Sequence, residues 1–314
     1  MKRFAKLVCT LYSILCALSS FAQVSIADTT YYVLVTYNGN SATVEMTDDV
    51  KSYVTASVSG ADVTITSTAS AAINEITYGL TGTTTDGSFT MIGTYKATLE
   101  LFGVTITNPT GPAIDLQNGK RIEISAKKET ISTLTDGTST ATDAWKGALQ
   151  CKGHIQFKGK GTLNVYGNYK HGIRAGEYIE VKNCTINVWS AVKDAINCNW
   201  YYAQESGEVN LSGFSDDGIQ VSVETDNTSS ENTGNFTMTG GTININMYGA
   251  SGESVKVEGT KSVAAAASLN VYNSAQGVES AQPSVISSQK VLRDGQIVIE
   301  RGEKRYNLLG AEIR

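Results

Sequence analysis

Proline occurs three times and histidine twice in 314 residues. Two histidines, at His154 and His171, cannot supply the multi-histidine sets on which most catalytic zinc sites are built, and neither sits in an HExxH pattern. The chain also has no GxSxG and no CxxC, so the nucleophile elbow and the paired-thiol metal or redox motifs are missing. Charged residues are only 18% of the chain. No heptad or amphipathic-helix pattern runs through it, which excludes a coiled coil or helical bundle. After the first eighteen residues no run approaches the roughly twenty apolar residues that span a bilayer, so no membrane insertion is expected. The balance is acidic, 25 Lys and Arg against 30 Asp and Glu, which disfavours nucleic acid as a partner.

What is present is Thr, Ser, Val, Ile, Tyr, Asn and Gly, the composition of a β protein. The N-terminus carries Lys2, Arg3 and Lys6, then an apolar stretch from Leu7 to Leu18, then small residues up to Ala22. It reads as a signal peptide over 1–22 and predicts a secreted or cell-surface protein. Leu15 and Val8 precede Cys16 and Cys9, which argues against a lipid-anchoring signal. Cleavage after Ala22 would remove three basic and no acidic residues, taking the net charge from −5 to −8. Three cysteines would remain, and the spacing below sets Cys151 and Cys198 two coils apart, roughly 9–10 Å and too far for a disulfide.

A pair made of a small residue and an aliphatic keeps returning: Ala113-Ile114, Ala148-Leu149, Gly172-Ile173, Ala195-Ile196, Gly218-Ile219, Ser254-Val255 and Gly277-Val278. Successive aliphatics are 35, 24, 23, 23, 36 and 23 residues apart. The two long steps are one coil plus an insertion, placed in the polar runs 133–143 and 224–235. Before most pairs ends an alternating strand such as Leu163-Asn164-Val165 or Ile186-Asn187-Val188, and a third strand reads Ile122-Glu123-Ile124 or Ile155-Gln156-Phe157. Three strands and three turns per roughly twenty-three residues predict an all-β chain folded as a right-handed parallel β-helix, the hand following from the crossover rule. Like residues would not recur at one spacing in an antiparallel sandwich. Before Thr98 the register is lost, and an irregular N-terminal β cap is expected over 23–97, the helix over 98–287 and a separate segment over 288–314.

Stacked coils bring equivalent positions within about 5 Å, so chemistry has to be sought in columns. One column is Asn164, Asn187, Asn210 and Asn246, and two residues on come Tyr166, Trp189, Ser212 and Tyr248. Amides beside exposed rings suit an extended sugar chain, although polar ladders also stabilise solenoids by themselves. In the turn before the aliphatics stand Lys146, Lys170, Lys193 and Asp216, and beside them His171, Asp194, Asp217 and Glu253. Two readings fit: the lysines neutralise the neighbouring carboxylates, or Asp194, Asp216, Asp217 and Glu253 hold a hard cation such as calcium. An acidic glycan would be met either by a basic strip of Lys146, Lys170, Lys193 and Arg174 or by calcium bridging its carboxylates to the protein, and Lys170, Lys193 or Arg174 would be the base if the chain were a lyase.

At residues 78–87 (YGLTGTTTDG), 161–168 (GTLNVYGN) and 215–220 (SDDGIQ) the sequence resembles secreted bacterial β-helix proteins of clostridia and Bacteroidetes described as carbohydrate-binding domain-containing. The resemblance covers roughly 41–281. It implies a pectate-lyase-like fold and, through a clostridial relative associated with calcium and polygalacturonate, binding of an acidic polysaccharide without established catalysis. The family often carries Asp-Gly-Ile in successive coils, where this chain has His171-Gly172-Ile173 and Asp194-Ala195-Ile196. The end of the chain, with 294–299 and 306–310, resembles the end of the C-terminal sorting domains of type IX secretion. The expected function is therefore non-catalytic binding of a pectin-like glycan with calcium; the competing classes are a polysaccharide lyase and an adhesive surface protein without a sugar ligand.

Overall fold

The computed structural model describes residues 25–26, 29–138 and 145–273, and the backbone of four strands beyond them. The signal-peptide reading, the Gly277-Val278 pair and residues 139–143 of the 133–143 insertion lie outside the described residues. No helix among those described is long and apolar enough to cross a membrane.

The chain opens with two antiparallel hairpins, β1 (Tyr32–Asn38) with β2 (Ser41–Met46) and β3 (Val54–Ser59) with β4 (Ala61–Ser67). β5 (Thr77–Thr84) follows and pairs parallel with β1. Among the described residues seven coils of three strands then wind in one sense. They are β6 (Gly87–Gly93), β7 (Ala97–Leu101) and β8 (Thr105–Thr107); β9 (Ile114–Asn118), β10 (Ile122–Ala126) and β11 (Ile131–Thr135); β12 (Gly147–Cys151), β13 (Ile155–Gly159) and β14 (Thr162–Gly167). Next come β15 (His171–Ala175), β16 (Ile179–Val181) and β17 (Thr185–Ala191); β18 (Ile196–Asn199), β19 (Tyr201–Gln204) and β20 (Glu208–Leu211). The last are β21 (Ile219–Ser222), β22 (Asn235–Met238) and β23 (Thr242–Asn246); β24 (Val255–Val257), β25 (Lys261–Val263) and β26 (Ser268–Tyr272). Each strand pairs in parallel with its equivalents in the coils before and after, which makes three ladders and a parallel β-helix.

The small-aliphatic pairs form the inner column of the first ladder: Ile114, Leu149, Ile173, Ile196, Ile219 and Val255 are register partners in turn. Packing explains the small residue. A Cβ on Gly172 would come 2.6 Å from Val188 Cγ1 and 2.7 Å from Ala195 O, and one on Gly218 would come 2.5 Å from Ser254 O. Those separations are below real carbon contacts, so Gly172 and Gly218 have no room even for a methyl, and the same position of the other described pairs holds only Ala or Ser. The same column continues upstream through Phe89 and Val63, because β4 and β6 are already parallel in register. The parallel winding thus begins well before Thr98, and the strand Asp62-Val63-Thr64-Ile65-Thr66, expected to be irregular cap, is part of it; only β2 and β3 close the open edges as antiparallel strands.

The first insertion sits between coils, after β11, and the second within a coil, between β21 and β22, and their edges differ from the polar runs. Thr133–Thr135 end β11 and pair with Asn164–Tyr166, while Asn235 already belongs to β22. Cys151, Ala175 and Cys198 follow one another in the inner column, so the two thiols are two coils apart as the spacing predicts, and all three described cysteines are free and buried. A second unit, Ala275–Arg314, contains β27 (Gln289–Arg293), β28 (Gln296–Arg301), β29 (Lys304–Tyr306) and β30 (Glu312–Ile313) in an antiparallel sheet.

Candidate carbohydrate-binding groove

Strand alternation puts the residue after each buried aliphatic on the outside of the first ladder. The register partners there are Asp115, Gln150, Arg174, Asn197, Gln220 and Lys256, a polar group in every coil. Neighbouring coils fix one another. Gln150 Nε2 donates to Asp115 Oδ1 at 2.9 Å, Gln117 Nε2 to Asp115 Oδ2 at 2.8 Å, and Asn197 Nδ2 to Gln220 Oε1 at 2.7 Å. Arg174 Nη2 donates to Asn199 Oδ1 at 3.3 Å, while its Nη1 is buried with no hydrogen-bond partner. Burial lowers the pKa of this guanidinium, against the upward pull of surrounding acidic groups.

Of these side chains Asp115, Gln117, Gln150, Arg174 and Asn199 border a groove of about 660 Å³ that crosses the coils from β9 to just beyond β21, a span of roughly 19 Å at the usual interstrand spacing. Arg174, Lys146 and Lys152 supply its cations, Gln117, Gln150 and Asn199 its amides, and Asp115 and Glu224 its carboxylates. Lys146 and Lys152 form no ion pair among the described residues. Charge, amide and carboxylate thus alternate along an open cleft, the chemistry that hydrogen-bonds hydroxyls and pairs with anionic groups.

The turn before the ladder holds the charged columns read from the sequence. Backbone bonds stack Lys146, Lys170 and Lys193 in order, with Asp216 next, and link Asp194, Asp217 and Glu253 through the residues that follow them. Asp194, Asp216 and Asp217 bring one ligand oxygen each to within 4.8 Å of one another, with Asp194 and Asp217 both 1% exposed. The side chain of Glu253 is not in this group; its backbone N–H donates to Asp217 Oδ1 at 2.7 Å. Three carboxylates in one place repel unless compensated. Asn197 Nδ2 donates to Asp194 Oδ2 at 2.7 Å, His171 Nδ1 is 3.2 Å from the same oxygen, and Lys256 Nζ stands 3.1 Å from Asp217 Oδ2. Neither of the last two has hydrogen-bond alignment; the Lys256 contact is between charges, and the His171 contact becomes one only when the imidazole is protonated. Burial pushes the Asp194 carboxyl up, but the contacts from His171, Asn197 and the Asp217 backbone outweigh it and leave its pKa below the usual value. Burial also pushes the His171 imidazole down. The donor set, all hard oxygen, fits a hard cation such as calcium, which Asp194, Asp216 and Asp217 would hold.

The asparagine column is a different object from the one expected. Its register runs Asn164, Asn187, Asn210, Asn244 and Asn270, so Asn244 takes the place read as Asn246, and Asn270 is in step. From Asn187 onward each amide donates to the asparagine carbonyl one coil below at 2.8–2.9 Å. Asn187 and Asn210 are buried, so the column is a closed hydrogen-bonded ladder with most of its polar atoms already engaged. Asn246 instead accepts the backbone N–H of Tyr248 at 3.1 Å. Nor do Tyr166, Trp189 and Tyr248 form one column: the register shifts after Val165, pairing Tyr166 with Ser190 and leaving Trp189 as the extra residue of a bulge. Trp189 is half-buried with its indole N–H on Asn164 Oδ1, whereas Tyr248 is 62% exposed.

Of the residues read from sequence, Lys146 and Arg174 line the groove; Lys170 and Lys193 are in the adjoining turn. Asp115, Gln117, Gln150, Lys152, Asn199 and Glu224 were not singled out. Most could have been, since they stand one or three residues after the repeated aliphatics, at positions that parity sends outward.

A family model described as carbohydrate-binding domain-containing protein matches residues 59–309. No curated protein matches the chain. A solved structure described as the polysaccharide lyase-like protein from C. thermocellum, gadolinium derivative, superposes with a TM-score of 0.61 at 22% identity, covering 76% of this chain and 99% of that one. At that identity the likeness is one of fold.

Proposed function

The chain belongs to the family of carbohydrate-binding domain-containing proteins, and from that premise we propose that it binds an extracellular polysaccharide along the groove outside the first ladder without cleaving it. The observation that carries this reading is the groove itself, where Arg174, Lys146 and Lys152 stand beside Gln117, Gln150 and Asn199. Cations without ion-pair partners among the described residues favour a glycan bearing carboxylates, such as a pectin-like polymer, and the amides suit its ring hydroxyls. The mean field of an acidic protein repels such a polymer, so binding requires this local basic strip. Calcium is a second route. Asp194, Asp216 and Asp217 lie at the turn beside the same face and would let the ion bridge protein and sugar carboxylates. The N-terminal signal reading supports action outside the cell, at the bacterial surface.

A glycan array run with calcium and again with chelator tests the reading, followed by titration of polygalacturonate into wild type and Arg174→Gln. Binding that survives chelation and weakens about tenfold in Arg174→Gln supports the basic strip. Loss on chelation supports bridging. An array without hits would favour an adhesive protein with no sugar ligand, and absorbance from unsaturated product on pectin would make the chain a lyase.

A further inference from the structure

Trp200 has φ of +64°, in the left-handed region that large side chains rarely enter. It lies in the turn between β18 and β19, directly beneath the point where the second insertion leaves and rejoins the helix. Its backbone N–H donates to Ser222 O at 2.8 Å, and its carbonyl accepts the N–H groups of Thr233 and Gly234. Both ends of the insertion are thus tied to this one residue, which over-determines its strained backbone. The ring is 9% exposed, and its Nε1 donates to Glu224 Oε2 at 2.9 Å. Asn227 Nδ2 donates to the same oxygen at 2.6 Å. Asn232 clamps the insertion from the other side, accepting the Glu224 N–H at 2.8 Å and donating to the Glu224 carbonyl at 2.8 Å. Glu224 itself is exposed and lines the groove opposite Arg174, with which it makes no ion pair. Two donors on Oε2 leave Oε1 without a donor among the described residues. A carboxylate oriented in this way accepts hydroxyl groups, and the strained residue that anchors both ends of the insertion also orients it.

We propose that Glu224 is a hydroxyl acceptor for a sugar ring bound in the groove, and that Trp200 is the positioning residue that holds it there. The proposal rests on the groove being the glycan site. It assigns the ring's orientation: anionic substituents toward Arg174, Lys146 and Lys152, hydroxyls toward Glu224.

The test uses the full chain and two polymers, polygalacturonate and its carboxyl-reduced neutral counterpart, titrated into wild type, Glu224→Ala, Glu224→Gln and Trp200→Phe. Phenylalanine keeps an aromatic six-membered ring but removes the pyrrole portion of the indole together with its N–H, so melting temperatures check that each variant folds and gauge the lost packing. Glu224→Ala is expected to weaken both polymers by about tenfold, the scale of one charge-assisted hydrogen bond, with Glu224→Gln in between. Trp200→Phe should weaken both several-fold and move the acid limb of neutral-polymer binding to higher pH, because the Trp200 and Asn227 donors hold the Glu224 pKa below its ordinary value. The other charges of the groove and insertion, Arg174, Lys146, Lys152, Asp115, Asp226 and Glu231, are the same in every variant. If Glu224→Ala tightens the acidic polymer and leaves the neutral one unchanged, Glu224 only repels charge and the proposal fails. If Trp200→Phe matches wild type in affinity and pH limb, the positioning role fails. If wild type binds neither polymer, the groove reading itself is lost.

Discussion

Trp189 donates its indole N–H to Asn164 Oδ1, 3.3 Å away in the preceding coil, which ties the ring to the asparagine ladder on a different ladder from the groove. Trp189→Ala should therefore cost about 1–2 kcal/mol of stability through lost burial and one hydrogen bond. Glycan affinity should stay within about twofold of wild type, while Arg174→Gln shows the reverse pattern. Thermal melts and titration of polygalacturonate separate the two. Retained binding in Arg174→Gln with loss in Trp189→Ala would move the site to the Tyr166 and Tyr248 face.

Asn187 sits mid-ladder, donating to Asn164 and accepting from Asn210, both at 2.9 Å. Asn187→Ala removes both bonds and leaves the 2% exposed Asn210 amide without its acceptor. A loss of about 1–3 kcal/mol in denaturant unfolding is expected. Asn246, outside the ladder, should cost less on the same substitution.

Lys256 is the tethered cation of the acidic trio, its Nζ 3.1 Å from Asp217 Oδ2. A divalent ion would have to displace it. Lys256→Met should therefore lower the melting temperature in chelator and raise it more than wild type when millimolar calcium is added. An equal calcium response in both proteins would mean the lysine does not compete. No response in either would mean the trio holds no calcium.

Asp136 is 2% exposed, with Oδ2 unpaired and Oδ1 bonded to the Asn168 N–H. Burial pushes its pKa up from 3.8 to about 7. A carboxyl whose folded pKa is raised favours the folded state when protonated. Its contribution is fully present below about pH 4 and is lost as pH rises through about 7. Within that window the slope is at most about 1.4 kcal/mol per pH unit. Asp136→Asn should flatten the pH dependence of stability between pH 4 and 7, measured by denaturant melts; an unchanged slope would show that Asp136 titrates near its ordinary value.

The coil was legible because every turn of the helix must fill the same cross-section. The close approach at Gly172 and Gly218 demands a small residue there, and the next position points into the core, so the pair returns in each coil. The upstream coils hid for the same reason in reverse. Phe89 and Val63 occupy the column with Ser88 and Asp62 before them, which breaks the small-aliphatic signature without breaking the register. The fifth coil's middle strand also escaped notice: its inward residues are Tyr202 and Gln204, which bond each other at 2.9 Å inside the core.

At 242–247 the chain reads Thr-Ile-Asn-Ile-Asn-Met, and parity accepts either asparagine. Only the interstrand hydrogen bonds select Asn244 over Asn246. The bulge at Trp189 likewise has no local signal. Strand content, coil length, inner column and free thiols were determined by the sequence alone, since each follows from residue-by-residue alternation and a fixed repeat. Which outward groups share the groove was decided by the tertiary structure, because Lys146, Arg174, Asn199 and Glu224 meet only across successive coils. Glu224 reaches it through an insertion whose path is set by the bonds of Trp200, Asn227 and Asn232, contacts that no repeat pattern encodes.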